Sequence, residues 1–475
     1  MTSRDLTRIY VDGTWSASSS SETIAVVNPA TEQHIADVAA GSADDVARAV
    51  DSAKRALPNW SKTSGAERAS WLRQIRKGIE ARFDVMATDA MADIGMPIDL
   101  AGPVQVGLPL VTLDAFADLA ESYSFRGEDI GLSRVFKEPC GVVACITPWN
   151  FPLHQIALKI GGALAAGCTV VLKPSEVAPL LAYHLADIVH EIGLPAGVFN
   201  LVSGHGSVVG EALATHQDVA MISFTGSTIA GKRVAELASS RLARVALECG
   251  GKSANLLLSD APFEKAVANA VAKCFLNSGQ TCAAMTRLLV PADRLDQVKE
   301  LVREAVKPFA PIDPARSGFG LGPVVSRVQQ ERVLRYIELG LADGAELLAG
   351  GSEGVPSNGF YVSPTVFVGV TPDMTIAREE IFGPVLSILT YESEDEAVEL
   401  ANSLSYGLSA GVWSGSIERS LEVAARLQAG QVEVNGADFN PLAPFGGYKE
   451  SGIGREGGTY GLEEFLEVKS VQIPG

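Results

Sequence analysis

A few positions in this 475-residue chain pair a reactive group with a setting that could use it. Cys282 closes the run Ser278-Gly279-Gln280-Thr281, just beyond a helix predicted over 263–276. A loop of small residues leaves a sulfur accessible, which a nucleophile requires. Cys140, Cys145, Cys168 and Cys274 fall instead in apolar strands or helices and read as packing. Glu248 ends an apolar strand in the segment LECGGK, pressed against two glycines. Loss of water there would raise its pKa toward that of a useful general base. A strand-end acid facing solvent is the commoner arrangement, but Val-Ala-Leu before it and Gly-Gly after it argue for an enclosed carboxylate.

Other residues suit a phosphate-bearing ligand. The strand TVVLK runs into Lys173-Pro174-Ser175-Glu176, which sets an ammonium beside a carboxylate at the carboxyl edge of a parallel sheet, where such sheets bind ligands. An acid there accepts from both ribose hydroxyls and repels a 2′-phosphate, so Glu176 favours NAD over NADP, with NADP the less favoured alternative. The run VSGHGSVVG places Gly204, Gly206 and Gly210 between a strand and a helix, with one residue more before the last glycine than a dinucleotide turn has. Alone it is as well explained by an ordinary strand-to-helix turn. The stretch SFTGS at 223–227 offers small residues and backbone amides at a helix start, suited to a pyrophosphate. Its recurrence in the same structural position weighs against Lys173 and Glu176 being mere solvated loop charges.

These residues need elements to position them. Apolar periodicity predicts helices over 43–57, stopped by Pro58, and over about 66–82. From residue 140 short apolar runs alternate with helices: GVVACIT, a helix from Leu153, TVVLK, a helix over 179–192, GVFNLVSG, a helix near 208–215, VAMISFTGS, a helix from Thr228, and RVALECGG. Such alternation predicts βαβ units and a parallel, nucleotide-binding sheet. A second α/β block, 253 to about 451, follows with strands at ARLQAGQVEVN and GPVLSILTYE. No internal repeat or low-complexity linker interrupts it.

Composition excludes several classes. Hydrophobic residues make up 47% and charged residues 20%, enough apolar material for large cores. With 56 acidic against 38 basic residues the net charge is −18, which repels nucleic acid and anionic membranes. The longest uninterrupted apolar stretch, 161–172, is short of the ~20 residues of a spanning helix. The N-terminus MTSRDLTRIYVDGTW shows no leader, so a cytoplasmic location is expected. Six cysteines without a close pair predict reduced thiols. Six scattered histidines give no zinc spacing, so no metal is expected.

Taken in order, PWNFP, KPSE, FTGS, LECGGK, GQTC, EEIFGPV and PFGGYKESG resemble the aldehyde dehydrogenase superfamily over essentially the whole chain, and seven ordered motifs across 148–452 make the resemblance specific. It implies an α/β fold with a Rossmann-type, discontinuous NAD domain (1–119 and 141–249), an α/β catalytic domain (250–451) and a small oligomerisation element (120–140 and 452–475). A homodimer or homotetramer is implied. The run VKSVQI at 468–473 alternates as an edge strand should, and such an edge calls for a covering neighbour.

The resemblance also assigns roles. Cys282 is the implied nucleophile, forming a thiohemiacetal whose oxyanion is held by the Asn150 amide and the Cys282 backbone N–H. Hydride passes to NAD, and Glu248 activates the water that hydrolyses the thioester. Ile146 and Trp149 are placed along the cofactor path, Lys173 and Glu176 on the adenine ribose, Gly206 and Gly210 at the glycine turn, Phe224, Thr225, Gly226 and Ser227 near the pyrophosphate, and Glu380 and Phe382 on the nicotinamide ribose. Cys249 departs from the pattern, which more often has an apolar residue beside the base; packing is its expected role, with an oxidative link to Cys282 as the alternative.

The implied substrate walls are Phe151, Leu158, Thr281, Ala283, Phe439 and Phe445, which suit an apolar or aromatic aldehyde. Lys159 and Arg287 are the candidate cations for a semialdehyde carboxylate. Two other readings stand beside the hydrolytic dehydrogenase: a CoA-acylating dehydrogenase, against which Glu248 argues, and a non-catalytic scaffold, against which the intact Asn150, Glu248 and Cys282 argue. No nucleic acid or membrane partner is expected.

Overall fold

A computed structural model describes residues 5–352 and 354–475. The first four residues of the N-terminal stretch inspected for a leader lie outside the described residues. Two open sheets dominate the molecule. The first orders its strands Gly452–Ile453, Arg244–Glu248, Val219–Thr225, Val142–Ile146, Thr169–Lys173, Phe199–Leu201, Arg8–Val11 and Thr14–Ala17, the middle five parallel. Along these strands alternate side chains enter different cores. Val143, Cys145, Val170 and Leu172 pack toward helices Gly65–Glu80, Leu108–Ser122, Pro152–Ala166 and Leu180–Ile192. Val142, Ala144, Ile146 and Val171 pack toward helices Ala43–Trp60 and Thr228–Ser239. A sheet buried on both faces is the physical reason these strands read as continuous apolar runs.

From Val142–Ile146 the chain builds outward to Thr169–Lys173 and Phe199–Leu201, then returns to lay Val219–Thr225 on the other side. The order reverses between Val142–Ile146 and Val219–Thr225, so the loops leaving those two strands splay apart and open a crevice at the carboxyl edge. These are the loops carrying Trp149, Asn150 and 225–228.

The second sheet orders Glu346–Ala349, Thr365–Val368, Val385–Tyr391, Arg287–Pro291, Ala254–Leu257, Ser409–Trp413 and Gln431–Val434, parallel except for its first strand. Only 249–253 separate the end of the first sheet's strand at Glu248 from the start of this sheet at Ala254. The carboxyl edge of one sheet therefore meets the amino edge of the other. A third, two-stranded sheet pairs Ser133–Pro139 with Leu466–Gln472 in antiparallel register from Ser133↔Gln472 to Pro139↔Leu466.

Several expectations needed adjustment. The first helix runs on through Pro58 to Trp60. Proline removes only the bond to the Lys54 carbonyl on an exposed face, while Ser61 N–H still bonds Leu57 O at 2.9 Å and buried Trp60 anchors the last turn. The glycine run 206–210 is a wide π-helical turn leading into Glu211–Thr215. The strand expected from residue 425 begins only at Gln431. Helices Phe83–Ile94, Leu295–Val306 and Arg327–Ala342 went unread. The helical span Ile98–Ser122 is long and apolar enough to cross a membrane, although polar residues interrupt its apolar run. Of its most apolar window 56% is buried inside the molecule.

Candidate active site

The loop that delivers Cys282 is held in an unusual backbone conformation. Asn277, Ser278 and Gly279 carry φ values of +53°, +55° and +74° in succession. Left-handed backbone disfavours a Cβ, and Asn and Gly tolerate it best. At Gly279 a Cβ would lie 2.1 Å from the Gly383 carbonyl, so glycine is needed for space as well. Tertiary bonds secure the turn. Ser278 Oγ donates to Gly322 O at 2.7 Å, Gln280 Nε2 to Asn277 O at 3.0 Å, and Val325 N–H to Gln280 Oε1 at 2.8 Å. Cys282 itself remains half-buried, as a substrate-accessible thiol must.

The same loop positions Asn150. Its side-chain amide donates to Gln280 O at 3.0 Å, while its carbonyl accepts from Asn277 Nδ2 at 3.0 Å and Gln105 Nε2 at 3.1 Å. A primary amide has two hydrogens, so one stays available for a developing oxyanion. Asn277, Gln280 and Gln105 are thus positioning residues missed in the sequence. The Asn-Ser-Gly run was the available signal for the first of them.

Glu248 is buried, and neither of its carboxylate oxygens has a hydrogen-bond partner. Burial first, then the neighbouring Glu456 carboxylate, pushes its pKa well above the usual range against the pull of Lys159 and Arg455. An orphaned buried acid is costly to stability and is kept where a proton must move. The Cys282 thiol is pushed up to about 12, by burial first and then by Glu248 and Glu380. The thiol therefore rests protonated in the bare site, and Glu248 keeps its proton to a higher pH than an ordinary carboxylate. Lys159, fully buried, donates to Thr225 Oγ1 at 2.8 Å and pairs with Glu456.

Cys282 opens on a cleft of about 490 Å³ whose walls include Trp149, Asn150, 225–229, Cys249, Glu380 and Phe382. Of the residues assigned to a cofactor, the structure brings Trp149, Thr225, Gly226, Ser227, Glu380 and Phe382 to this cleft. Ser227 caps helix Thr228–Ser239, its Oγ accepting from Ala230 N–H at 3.3 Å, so the helix starts beside the cleft with its positive end. Trp149 and Phe382 meet edge to face at 5.3 Å. Glu380 accepts from Gly251 N–H at 3.0 Å, and burial lifts its pKa to about 7. A Cβ on Gly250 would overlap the Glu380 carboxylate at 2.0 Å, which is why a glycine follows Cys249. Arg332 and Gln329 clamp the carbonyls of Glu380 and Phe382 at 2.6 and 2.7 Å, a pair the sequence did not reveal.

Lys173, Glu176 and Gly206 form a neighbouring patch instead. Lys173 Nζ bonds Glu176 Oε2 at 3.0 Å, and Gly206 N–H donates to Glu176 Oε1 at 3.3 Å. Burial works against the Glu176 charge, but Lys173 and these bonds hold its pKa below the ordinary value. Gly210 lies under Lys173, 3.9 Å from its Cδ to an added Cβ. Ile146 and Phe224 are buried in the core beneath, with the Phe224 ring packed under Gly226. The donor set suits a dinucleotide: an ionised carboxylate for ribose hydroxyls, a capped helix start for a pyrophosphate, and a second carboxylate near the thiol.

Cys249 turns its sulfur toward Gly231, where an added Cβ would lie 2.5 Å away, and joins the core of that helix. Both candidate cations for a substrate carboxylate are already engaged. Lys159 serves Glu456 and Thr225, and Arg287 donates to the carbonyls of Lys252, Leu400 and Ala401 at 2.8, 2.9 and 3.0 Å. Phe439 stacks edge-on against Phe445 at 6.1 Å and His154 at 6.3 Å, while Phe151 is buried and Leu158 belongs to the main core.

Comparison with known proteins agrees with this geometry. The model of the aldehyde dehydrogenase family matches residues 15–471. A 3-succinoylsemialdehyde-pyridine dehydrogenase of a Pseudomonas species is 47% identical over 472 residues, covering 98% of each chain. Among solved structures, aldehyde dehydrogenase C of Pseudomonas syringae, a cysteine-to-alanine mutant with NAD+ and octanal, superposes with TM-score 0.97 at 47% identity over 98% of this chain and 96% of that one. The NAD+ complex of a Bacillus cereus aldehyde dehydrogenase does so with TM-score 0.96 at 38% identity over 99% and 96%.

Proposed function

The chain belongs to the aldehyde dehydrogenase family, and from that premise we propose how its site carries out NAD-dependent oxidation of an aldehyde to a carboxylic acid. The observation that carries the reading is an accessible thiol and a preset side-chain amide on one cleft, with a doubly unpartnered buried carboxylate on the residue just before Cys249 in its wall. Cys282 Sγ attacks the aldehyde carbon, and because its thiol rests protonated it passes its proton to solvent water in the open cleft as the C–S bond forms. The carbonyl electron pair moves to oxygen, where Asn150 Nδ2 and the Cys282 N–H receive it. NAD, when bound, supplies the hydride acceptor. Carbon is left as a thioester on Cys282. Glu248, once it has given its own proton to solvent, takes a proton from water, whose oxygen attacks that carbon; the C–S bond breaks, the acid leaves, and the Cys282 sulfur regains a proton from Glu248.

For the cofactor, Glu176 and Lys173 would hold the adenine ribose, the start of helix Thr228–Ser239 the pyrophosphate, and Glu380 with Phe382 the nicotinamide ribose. The charge on Glu176 makes NAD the preferred form. The substrate is an uncharged apolar or aromatic aldehyde, since Phe439 and Phe445 pack together and both candidate cations, Lys159 and Arg287, are engaged by other partners. The octanal bound by the Pseudomonas syringae relative supports this. We further propose the domain division 1–119 with 141–249, 250–451, and 120–140 with 452–475, the last pairing subunits through the exposed Ile130, Leu132, Val468 and Val471. Six free thiols suit a reducing cytoplasm.

The test is turnover with NAD and a panel of aliphatic, aromatic and carboxylated aldehydes, with CoA and NADP in parallel. NADH formation without CoA, abolished in Cys282→Ala, is expected. A strict CoA requirement would point to acyl transfer in place of hydrolysis, and no NADH with any aldehyde would point to a scaffold.

A further inference from the structure

The amino edge of the first sheet, opposite the catalytic cleft, carries two thiols outside the machinery described above. Cys140 follows the strand Ser133–Pro139, and Cys168 precedes Thr169–Lys173. Their sulfurs lie 3.7 Å apart. Both residues also tie to one carbonyl at the root of the tail strand: Cys140 N–H donates to Phe465 O at 2.9 Å, and Cys168 Sγ lies 3.4 Å from the same oxygen. Cys168 is fully buried, whereas Cys140 is half-buried and lines a surface hollow of about 450 Å³ shared with Lys54, Asp218 and Arg241. The pair thus has one wet member and one dry one.

Arg68 supplies the second observation. It is buried, its Nε has no hydrogen-bond partner, and its guanidinium sits 4.5 Å over the Phe125 ring. A Cβ on Gly167, the residue before Cys168, would fall 2.2 Å from Arg68 Nη1. Burial lowers the Arg68 pKa, and what opposes that is the Cys168 sulfur first and Glu67 second. A buried cation beside a thiol, without a carboxylate of its own, is the setting of a redox-active cysteine.

We propose that Cys140 and Cys168 form an oxidation-sensitive dithiol which a hydroperoxide converts to an intramolecular disulfide, stapling the root of the 133–139 and 466–472 strands to the first sheet independently of Cys282. The chemistry balances. Cys140 is the sulfur that a hydroperoxide in the hollow can reach: the S–O bond forms as the O–O bond breaks and the thiol proton leaves on the departing oxygen, giving sulfenic acid and, from hydrogen peroxide, water. Cys168 then attacks that sulfur, an S–S bond forms, the S–O bond breaks, and the oxygen leaves as water with the Cys168 proton. Each sulfur gives up one electron of the two that reduce the peroxide, and an external dithiol reverses the change. Burial works against ionising Cys168, but the hydrogen bond from Cys140, the N–H groups of Gly141 and Cys140, and Arg68 hold its pKa below the ordinary value, as an attacking sulfur requires. Cys140, donating to Cys168, is pushed the other way.

To test this, full-length wild type and Cys282→Ser are treated with hydrogen peroxide and digested without reduction. The expected result is a linked peptide pair containing Cys140 and Cys168 in both proteins, reversed by dithiothreitol, with the unfolding midpoint raised by a few degrees. Cys140→Ser and Cys168→Ser should each lose the link and the shift while keeping aldehyde turnover. Recovery of both thiols free, or of either as unlinked sulfinic acid, under peroxide that oxidises Cys282 in wild type would overturn the proposal. The wild-type peptide map decides this even if a serine variant folds poorly.

Discussion

At the scale of single residues, the two reacting groups are expected to fail differently. Replacing Cys282 by Ala removes the covalent route, and turnover should fall by about three orders of magnitude or more in a steady-state assay. Replacing Glu248 by Gln leaves hydride transfer but not hydrolysis, so a burst of NADH near one equivalent per site should precede a slow phase. Because burial and Glu456 raise the Glu248 pKa in the folded protein, its base form accumulates only above the ordinary carboxylate range. The deacylation rate should therefore rise with pH through and beyond that range, and a profile already flat at acidic pH would assign the base elsewhere. In the proposed reading Glu176 acts by charge. Neutralising it with Glu176→Gln should raise kcat/KM for NADP by about tenfold, worth ~1.4 kcal/mol, with little loss for NAD.

Elements hold these residues, and two have measurable weak points. In the 277–279 turn, Asn277→Ala keeps a Cβ at left-handed φ and deletes the bond to the Asn150 carbonyl. It should lower kcat by about tenfold or more while leaving most of the fold, because a displaced oxyanion donor costs rate before stability. Helix Ala43–Trp60 begins with a capping box in which buried Asp45 accepts from Ser42 N–H at 3.0 Å, Ser18 Oγ at 2.6 Å and Ser19 N–H at 2.9 Å, and pairs with Arg48. Burial opposes its charge, yet these bonds lower its pKa to about 2. A depressed acid stabilises the fold above its unfolded value of 3.8, and that contribution fades as pH drops from there toward about 2. Asp45→Ala should cost roughly 1–2 kcal/mol at neutral pH and flatten acid unfolding over that window.

At the scale of the molecule, the strands Ser133–Pro139 and Leu466–Gln472 form a two-stranded ribbon with exposed Val468 at 69% and Ile130 at 70% of their full surface. An isolated ribbon is marginal in water and its edges are open, so a second subunit is its expected cover. Truncation after residue 465 should shift the mass by light scattering to that of a monomer, with the cleft residues retained. A truncated chain of unchanged mass would place the subunit contact elsewhere.

The sequence by itself determined the fold class and the reacting groups, because both depend on local pattern. Apolar runs alternating with helical periodicity announced the parallel sheet, and small-residue settings singled out Cys282 and Glu248. The tertiary structure decided what each polar side chain is free to do. From sequence Lys159 and Arg287 stand as candidate cations for a substrate carboxylate, yet partners more than 60 residues away in the chain engage them, Glu456 and Thr225 for one and Leu400 and Ala401 for the other. Cys140 and Cys168 read as inert packing because nothing in their flanking residues reports a neighbouring sulfur 28 positions away or a buried guanidinium. Hydrogen-bond supply, burial and charge pairing are properties of space. Side chains distant in sequence share them only once the two sheets have met edge to edge.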